Sequence, residues 1–241
     1  MLKTEFVTLI MNHVKKCYCY QRTKLLMEVT SMKSECICSF CKRTFAGSGM
    51  VRHLASCPER KKVIENEKSK GKVFLIRAGV GPFWVYFEVN ATSALKMVDS
   101  FLRELWLECC GHMSSFTINS EQYMSEPWDD YKGMNFKLEK VMSPGTEFLH
   151  EYDFGSTTEL EMKCISEREG SVKGIPIITR NNSLEFSCGE CGKPATQVCS
   201  QCLWEGEGFL CDSCAEDHEC GEEMLLPVVN SPRMGVCAYT G

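Results

Sequence analysis

The sequence predicts an α+β protein in which a central sheet-plus-helix domain is flanked by two small zinc-stabilised modules. Three observations predict it. The middle of the chain is a succession of strand-like segments around one amphipathic helix, the pattern of a sheet-and-helix layer rather than a doubly wound fold. The stretch Cys188 to Cys220 holds seven cysteines and one histidine, mostly as C-x-x-C. Nearer the N-terminus, Cys38, Cys41, His53 and Cys57 form a second donor pattern.

Composition is compatible with this. The 241 residues, 44% hydrophobic and 24% charged, suit one medium domain with appendages. Seventeen cysteines would suggest a disulfide framework in a secreted chain, but the count is odd and the spacing mostly C-x-x-C. The opening MLKTEFVTLIMNHVKK is interrupted by Thr4, Glu5, Thr8, Asn12 and His13, too broken for a signal peptide and too short to span a bilayer. A cytoplasmic protein without membrane attachment is expected, its cysteines reduced and available to metal. Charge is uneven: residues 1–70 carry 14 Lys/Arg against 6 Asp/Glu, the remainder 13 against 26, so the two ends should prefer different partners.

Residues 1–30 form an N-terminal extension. Phe6, Leu9, Ile10, His13 and Val14 fall at helical spacing, either a short amphipathic helix or an upstream extension read from too early a start; Cys17 and Cys19 read as free thiols. Residues 31–62 read as a C2HC zinc finger. Cys38 and Cys41 sit on a tight turn, while His53 and Cys57 lie one helical turn apart and point to one side, closing a tetrahedron. Phe45, Met50 or Val51, and Leu54 supply its small core, and Cys36 is a spare thiol. So little core cannot fold alone, so the metal contributes the folding energy. Residues 63–71 are a helical tail and linker ending at Gly71.

Residues 72–182 form the central domain. VFLIRAGV and PFWVYFEV read as a hairpin turning at Gly81-Pro82, and Thr92 or Ser93 caps a helix with Leu95, Val98, Phe101, Leu102, Leu105 and Trp106 on one face. SSFTIN is another strand, EQYMSEPWDDYKG a loop, and NFKLEKVM one or two helical turns. EFLHEYDFGSTTELEMKCIS reads as two strands reversing around Gly155-Ser156.

Residues 183–241 form a binuclear zinc module. Cys188/Cys191, Cys199/Cys202 and Cys211/Cys214 each offer two thiolates from a turn, and His218 begins a fourth pair completed by Cys220 or by Cys237. Short intervals favour pairs one and three on one ion and two and four on the other; the sequential arrangement is the alternative. Three zinc ions per chain are expected. Redox chemistry at C-x-x-C would need a helix N-terminus in a βαβ setting, which the pattern lacks.

Residues 72–170, through VFLIRAGV, PFWVYFEV, LECCGHMSSFTI and above all HEYDFGSTTELEMK, resemble the plasmid Ri open-reading-frame-three-like family. The resemblance implies an α+β fold with the Tyr152-Asp153-Phe154-Gly155 turn as its hallmark, a prokaryotic source, and no established activity. A transposon-passenger label attached to that family, of TnpR type, reflects genome location alone. Its members mostly carry Trp-Arg after the first turn, where this chain has Phe83-Trp84-Val85. The C-terminal module resembles B-box and MYND modules in its cross-brace spacing.

For function, the residues point to a zinc-binding, non-catalytic interaction protein with a protein partner. Asp153-Phe154-Gly155 matches a kinase triplet, but the companion motifs are missing. Cys109, Cys110 and His112, with His150 and Glu151, would make a nucleophile only by converging; a helix end with buried thiols and a hydrogen-bonded histidine is the reading preferred, and a supplementary metal site on Cys110 and His112 the lesser one. The alternative function is nucleic-acid binding by the finger through Lys42, Arg43, Arg52, Arg60, Lys61 and Lys62. The C-terminal module, with ten acidic residues against Lys193 and Arg233, disfavours phosphate. Its Leu203, Trp204, Phe209 and LLPVV run should pack on the central sheet rather than await a partner.

Overall fold

The computed structural model describes residues 34–67, 69–128 and 130–241; the expected helix near residues 5–14 and the thiols of Cys17 and Cys19 lie outside them. The fold is α+β. Strands β1 (Glu35–Ile37) and β2 (Thr44–Ala46) form a small hairpin, followed by helices α1 (Met50–Ser56) and α2 (Pro58–Glu65). Strands β3 (Lys72–Val80) and β4 (Phe83–Asn90) pair along their whole length around Gly81, whose φ of 56° suits glycine. Gly79 lies opposite Trp84, where a Cβ would strike the carbonyl oxygen of Phe83.

Helix α3 (Leu95–Leu102) runs on as a π-helical turn, Arg103–Leu107, and buries Leu95, Val98, Leu102 and Trp106 at the expected spacing. Then come β5 (Ser114–Ile118), β6 (Glu121–Met124), β7 (Lys132–Gly133), the single turn α4 (Leu138–Val141), β8 (Glu147–Tyr152), β9 (Thr158–Glu169) and β10 (Ile177–Arg180). These strands form one sheet in the order β10-β4-β3-β9-β8-β5-β6-β7, antiparallel except for β6 and β7. The stretch expected as a loop after Ser120 is instead partly strand, because β6 is short and its burial begins only at Tyr123 and Met124.

Both faces of the sheet are covered, which explains why β3 and β4 are apolar almost throughout. One face places Phe74, Ile76, Val85, Phe87, Phe116, Leu160 and Met162 against α3. On the other, Leu75, Trp84, Tyr86 and Ile178 receive Met50 and Leu54 of α1. Past the sheet, β11 (Gln197–Cys199), β12 (Phe209–Leu210), helix α5 (Asp212–Ala215) and β13 (Leu225–Pro227) make a three-stranded module in the order β12-β11-β13. Phe186, Val198, Leu203 and Met234 join the main core, with Phe209, Leu226, Val228 and Val229 packed against it. The apolar residues of this module are thus largely spent on packing.

Candidate metal centres

Four groups of Cys and His donors converge in the described residues, one more than the spacing predicts: Cys38/Cys41/His53/Cys57, Cys188/Cys191/Cys211/Cys214, Cys199/Cys202/His218/Cys220 and Cys109/Cys110/His112/Cys237. In each, the donor atoms lie within 4.8 Å of one another. A tetrahedral zinc has edges of about 3.8 Å between sulfurs and about 3.6 Å between sulfur and nitrogen, from its ordinary bond lengths. The donor sets therefore fit zinc in kind and in spacing.

In the first group, the hairpin turn is tied by Lys42 N–H to Cys38 O at 3.0 Å and Cys38 N–H to Arg43 O at 3.0 Å, with Lys42 in the left-handed region. That presents Cys38 and Cys41 on one side. Helix α1 brings His53, whose Nε2 lies 3.4 Å from Cys41 Sγ and whose ring stacks on Phe45 at 3.8 Å. Cys57 follows at the helix end. Of the two core candidates Met50 and Val51, Met50 is buried and Val51 exposed. Cys36 is buried and donates to Phe45 O, apart from the donors.

The C-terminal module braids its pairs. The first C-x-x-C turns through Gly192, whose N–H bonds Cys188 O, and meets the third, which opens α5; Cys191 and Cys211 sulfurs are 3.6 Å apart. The second pair meets His218 and Cys220, each 3.5 Å from Cys202 Sγ. Among the two candidates for the last position, Cys220 takes it; Cys237 lies with Cys109, Cys110 and His112 instead.

Ionisation within these groups is divided. Ser213 and the Cys214 amide bring Cys211 down to about 6, while hydrogen bonds donated to Cys191 and Cys211 push Cys214 up to about 12. Burial and then its neighbours Cys220 and Cys199 push Cys202 up to about 12; Cys199, raised by burial but offset by the Cys202 amide and His218, falls to about 7. Crowded thiols cannot all become thiolates without a cation among them. A metal ion held by the group would supply that cation and displace the protons.

Of the six finger cations, Arg60 is not available to phosphate. Its guanidinium is buried, bonds Glu88 Oε1 at 2.6 Å and Leu54 O at 3.2 Å, and so fastens α2 to the sheet. Burial at the sheet contact, invisible in a run of basic residues, is the reason. Lys42, Arg43, Arg52, Lys61 and Lys62 are exposed, Lys62 paired with Glu59 at 2.9 Å.

The other chemistry-bearing residues of the central domain fall into separate groups. His150 is buried, its Nε2 2.8 Å from Asp99 Oδ1, and Ser114 Oγ donates to that same oxygen at 2.6 Å. Cys110 Sγ is instead 2.9 Å from His112 Nε2. Glu151 accepts from Ser115 at 3.4 Å. Asp153 caps the YDFG turn through the Gly155 N–H at 3.0 Å and pairs with Arg233 at 2.8 Å.

No helix among the described residues is long and apolar enough to cross a membrane. No protein-family model matches the chain. No curated protein matches it. Among solved structures it is similar to a protein of unknown function, MM3350 from Methanosarcina mazei Go1, at 14% identity and a TM-score of 0.38, over 52% of this chain and 76% of that one.

Proposed function

We propose that the chain is a non-catalytic zinc protein whose C-terminal module binds a basic segment of a protein partner. The observation that carries this reading is the distribution of charge on that module. All ten of its acidic residues are exposed, from Glu185 through Glu223, and of its two cations Arg233 is fully buried against Asp153, leaving Lys193 alone at the surface. Zinc does not offset this: an ion held by four thiolates carries a net charge of −2, and one held by three thiolates and an imidazole −1. The field over the module is therefore strongly negative and attracts cationic partners.

The zinc ions serve the fold, one in the finger and two in the cross-brace. A central domain of the plasmid Ri type, a cytoplasmic location and a prokaryotic source accompany the reading on the strength of the sequence resemblance and the reduced cysteines.

The test is binding of an oligolysine peptide to the full chain, followed by titration with salt. Replacing Glu216, Asp217, Glu219, Glu222 and Glu223 by their amides should abolish binding; binding that survives would overturn the assignment. The second reading, nucleic-acid binding through Lys42, Arg43, Arg52, Lys61 and Lys62, rests on the exposure of these five cations. It predicts that a duplex or single-stranded oligonucleotide binds weakly at high salt and not at all once Arg43, Arg52 and Lys61 are neutralised.

A further inference from the structure

We propose that Cys109, Cys110, His112 and Cys237 hold a fourth zinc ion, which fastens the C-terminal tail to the end of the central helix. The first three donors follow the π-helical turn after α3 and the fourth arrives from the tail, 125 residues beyond His112. Cys110 Sγ lies 3.6 Å from Cys109 Sγ and 3.5 Å from Cys237 Sγ, and Cys237 Sγ lies 3.7 Å from His112 Nε2. The corresponding edges in the cross-brace are 3.5 to 3.6 Å.

A disulfide does not account for this arrangement. Cys110 is equally near two sulfurs, and a disulfide would join one of them at about 2.05 Å and leave the other beside the imidazole without a role. Three soft sulfurs and one nitrogen within 4.8 Å of one another, Cys110 Sγ lying 2.9 Å from His112 Nε2, are instead a zinc donor set.

The surroundings are those of a metal centre too. Arg233, four residues before Cys237, donates one N–H to Cys109 Sγ at 3.4 Å and the same nitrogen to Asp153 Oδ2 at 2.8 Å. Its other terminal nitrogen reaches Ser156 O and Thr158 Oγ1, both at 3.1 Å. A guanidinium touching a ligand sulfur and held by its own partners orients that ligand and balances its charge. The Tyr152 hydroxyl receives the His112 N–H at 3.3 Å and donates to Glu108 Oε1 at 3.1 Å, which in turn accepts the Gly111 N–H at 2.6 Å; the ligand loop is thereby held in shape. Cys237 itself has a φ of 56°, a conformation disfavoured for a non-glycine residue, and its sulfur stands with the other three donors at the surface.

The ion would cross-link segments that no local spacing joins. Its site shares no ligand with the other three, so occupancy can be read as a difference. Native mass spectrometry of the full chain, purified without added metal, should show one zinc ion fewer in Cys237→Ser and in His112→Gln than in the unmodified chain, the remaining ions being kept. The cobalt-substituted protein should lose, in the same two variants, the absorption of one tetrahedral thiolate centre. An unchanged metal count in either variant overturns the proposal. Should Cys237→Ser lose its fold and all its metal, His112→Gln decides by the same count. Because the reading is a difference of one, it stands or falls separately from the zinc content of the finger and the cross-brace.

Discussion

Arg60 lies within the basic stretch of the finger, yet its guanidinium is turned inward to Glu88, which also receives Arg168 at 2.6 Å. Such a trio is stable only while complete, because removing one charge leaves the others buried and uncompensated. Glu88→Gln should therefore cost about 3 kcal/mol or more, read from the urea midpoint at neutral pH. A loss within a few tenths of that of a surface substitution would contradict the assignment. Beside it, Glu67 accepts from Ser69 at 2.5 Å, from the Ser171 N–H at 2.7 Å and from Arg168 at 2.6 Å, and these bring its carboxyl from 4.5 down to about 2. A carboxyl depressed in the folded state adds stability above its unfolded value and loses it as pH falls through the folded one. Comparing unfolding midpoints of the unmodified chain and Glu67→Gln should show a gap at pH 6 that closes between about pH 4.5 and about pH 2. A gap constant over that range would show that the carboxylate interactions are absent.

At the scale of elements, α3 and its π-helical extension hold the molecule together. Trp106 is fully buried on the core side, and its indole N–H donates to Asn230 O at 3.1 Å, while Ser231 Oγ donates to Trp106 O at 2.8 Å. Trp106→Ala should cost about 3–5 kcal/mol by cavity formation. It should also speed amide hydrogen exchange in residues 230–239, whereas Val63, exposed on α2, can become Ala without either effect. Helix α1 shows the opposite economy. Its seven residues are too few to persist alone, and its place depends on His53, Cys57 and the two apolar side chains Met50 and Leu54 that reach the sheet.

For the whole molecule, the core predicts a hierarchy of dependence on metal. The eight-stranded sheet has its own extensive apolar core, whereas the inner core of the cross-brace is little more than Leu210, Ala215 and the ligands themselves. A strong chelator should therefore remove the order of the cross-brace and the finger while much of the sheet's circular dichroism remains. Acidification should have a similar effect, since protons would compete with a bound metal ion for the thiolates. Loss of all structure in one step with the metal would show that the sheet, too, depends on it.

The sequence by itself determined the layer architecture, the hairpin, the central helix, the reversal at Gly155-Ser156 and most of the donor pairs, because each is written in local periodicity or in spacings of a few residues. Cys220 against Cys237, and braided against sequential pairing, stayed open because either choice satisfies the same local chemistry. Only the tertiary structure decided them, by bringing Cys211 to Cys191 and the tail to α3. The inward turn of Arg60, the strand character of β6 and the meeting of Cys237 with Cys109, Cys110 and His112 were likewise hidden. Each depends on contact between segments far apart in the chain, and no local pattern encodes which buried surface a side chain will face.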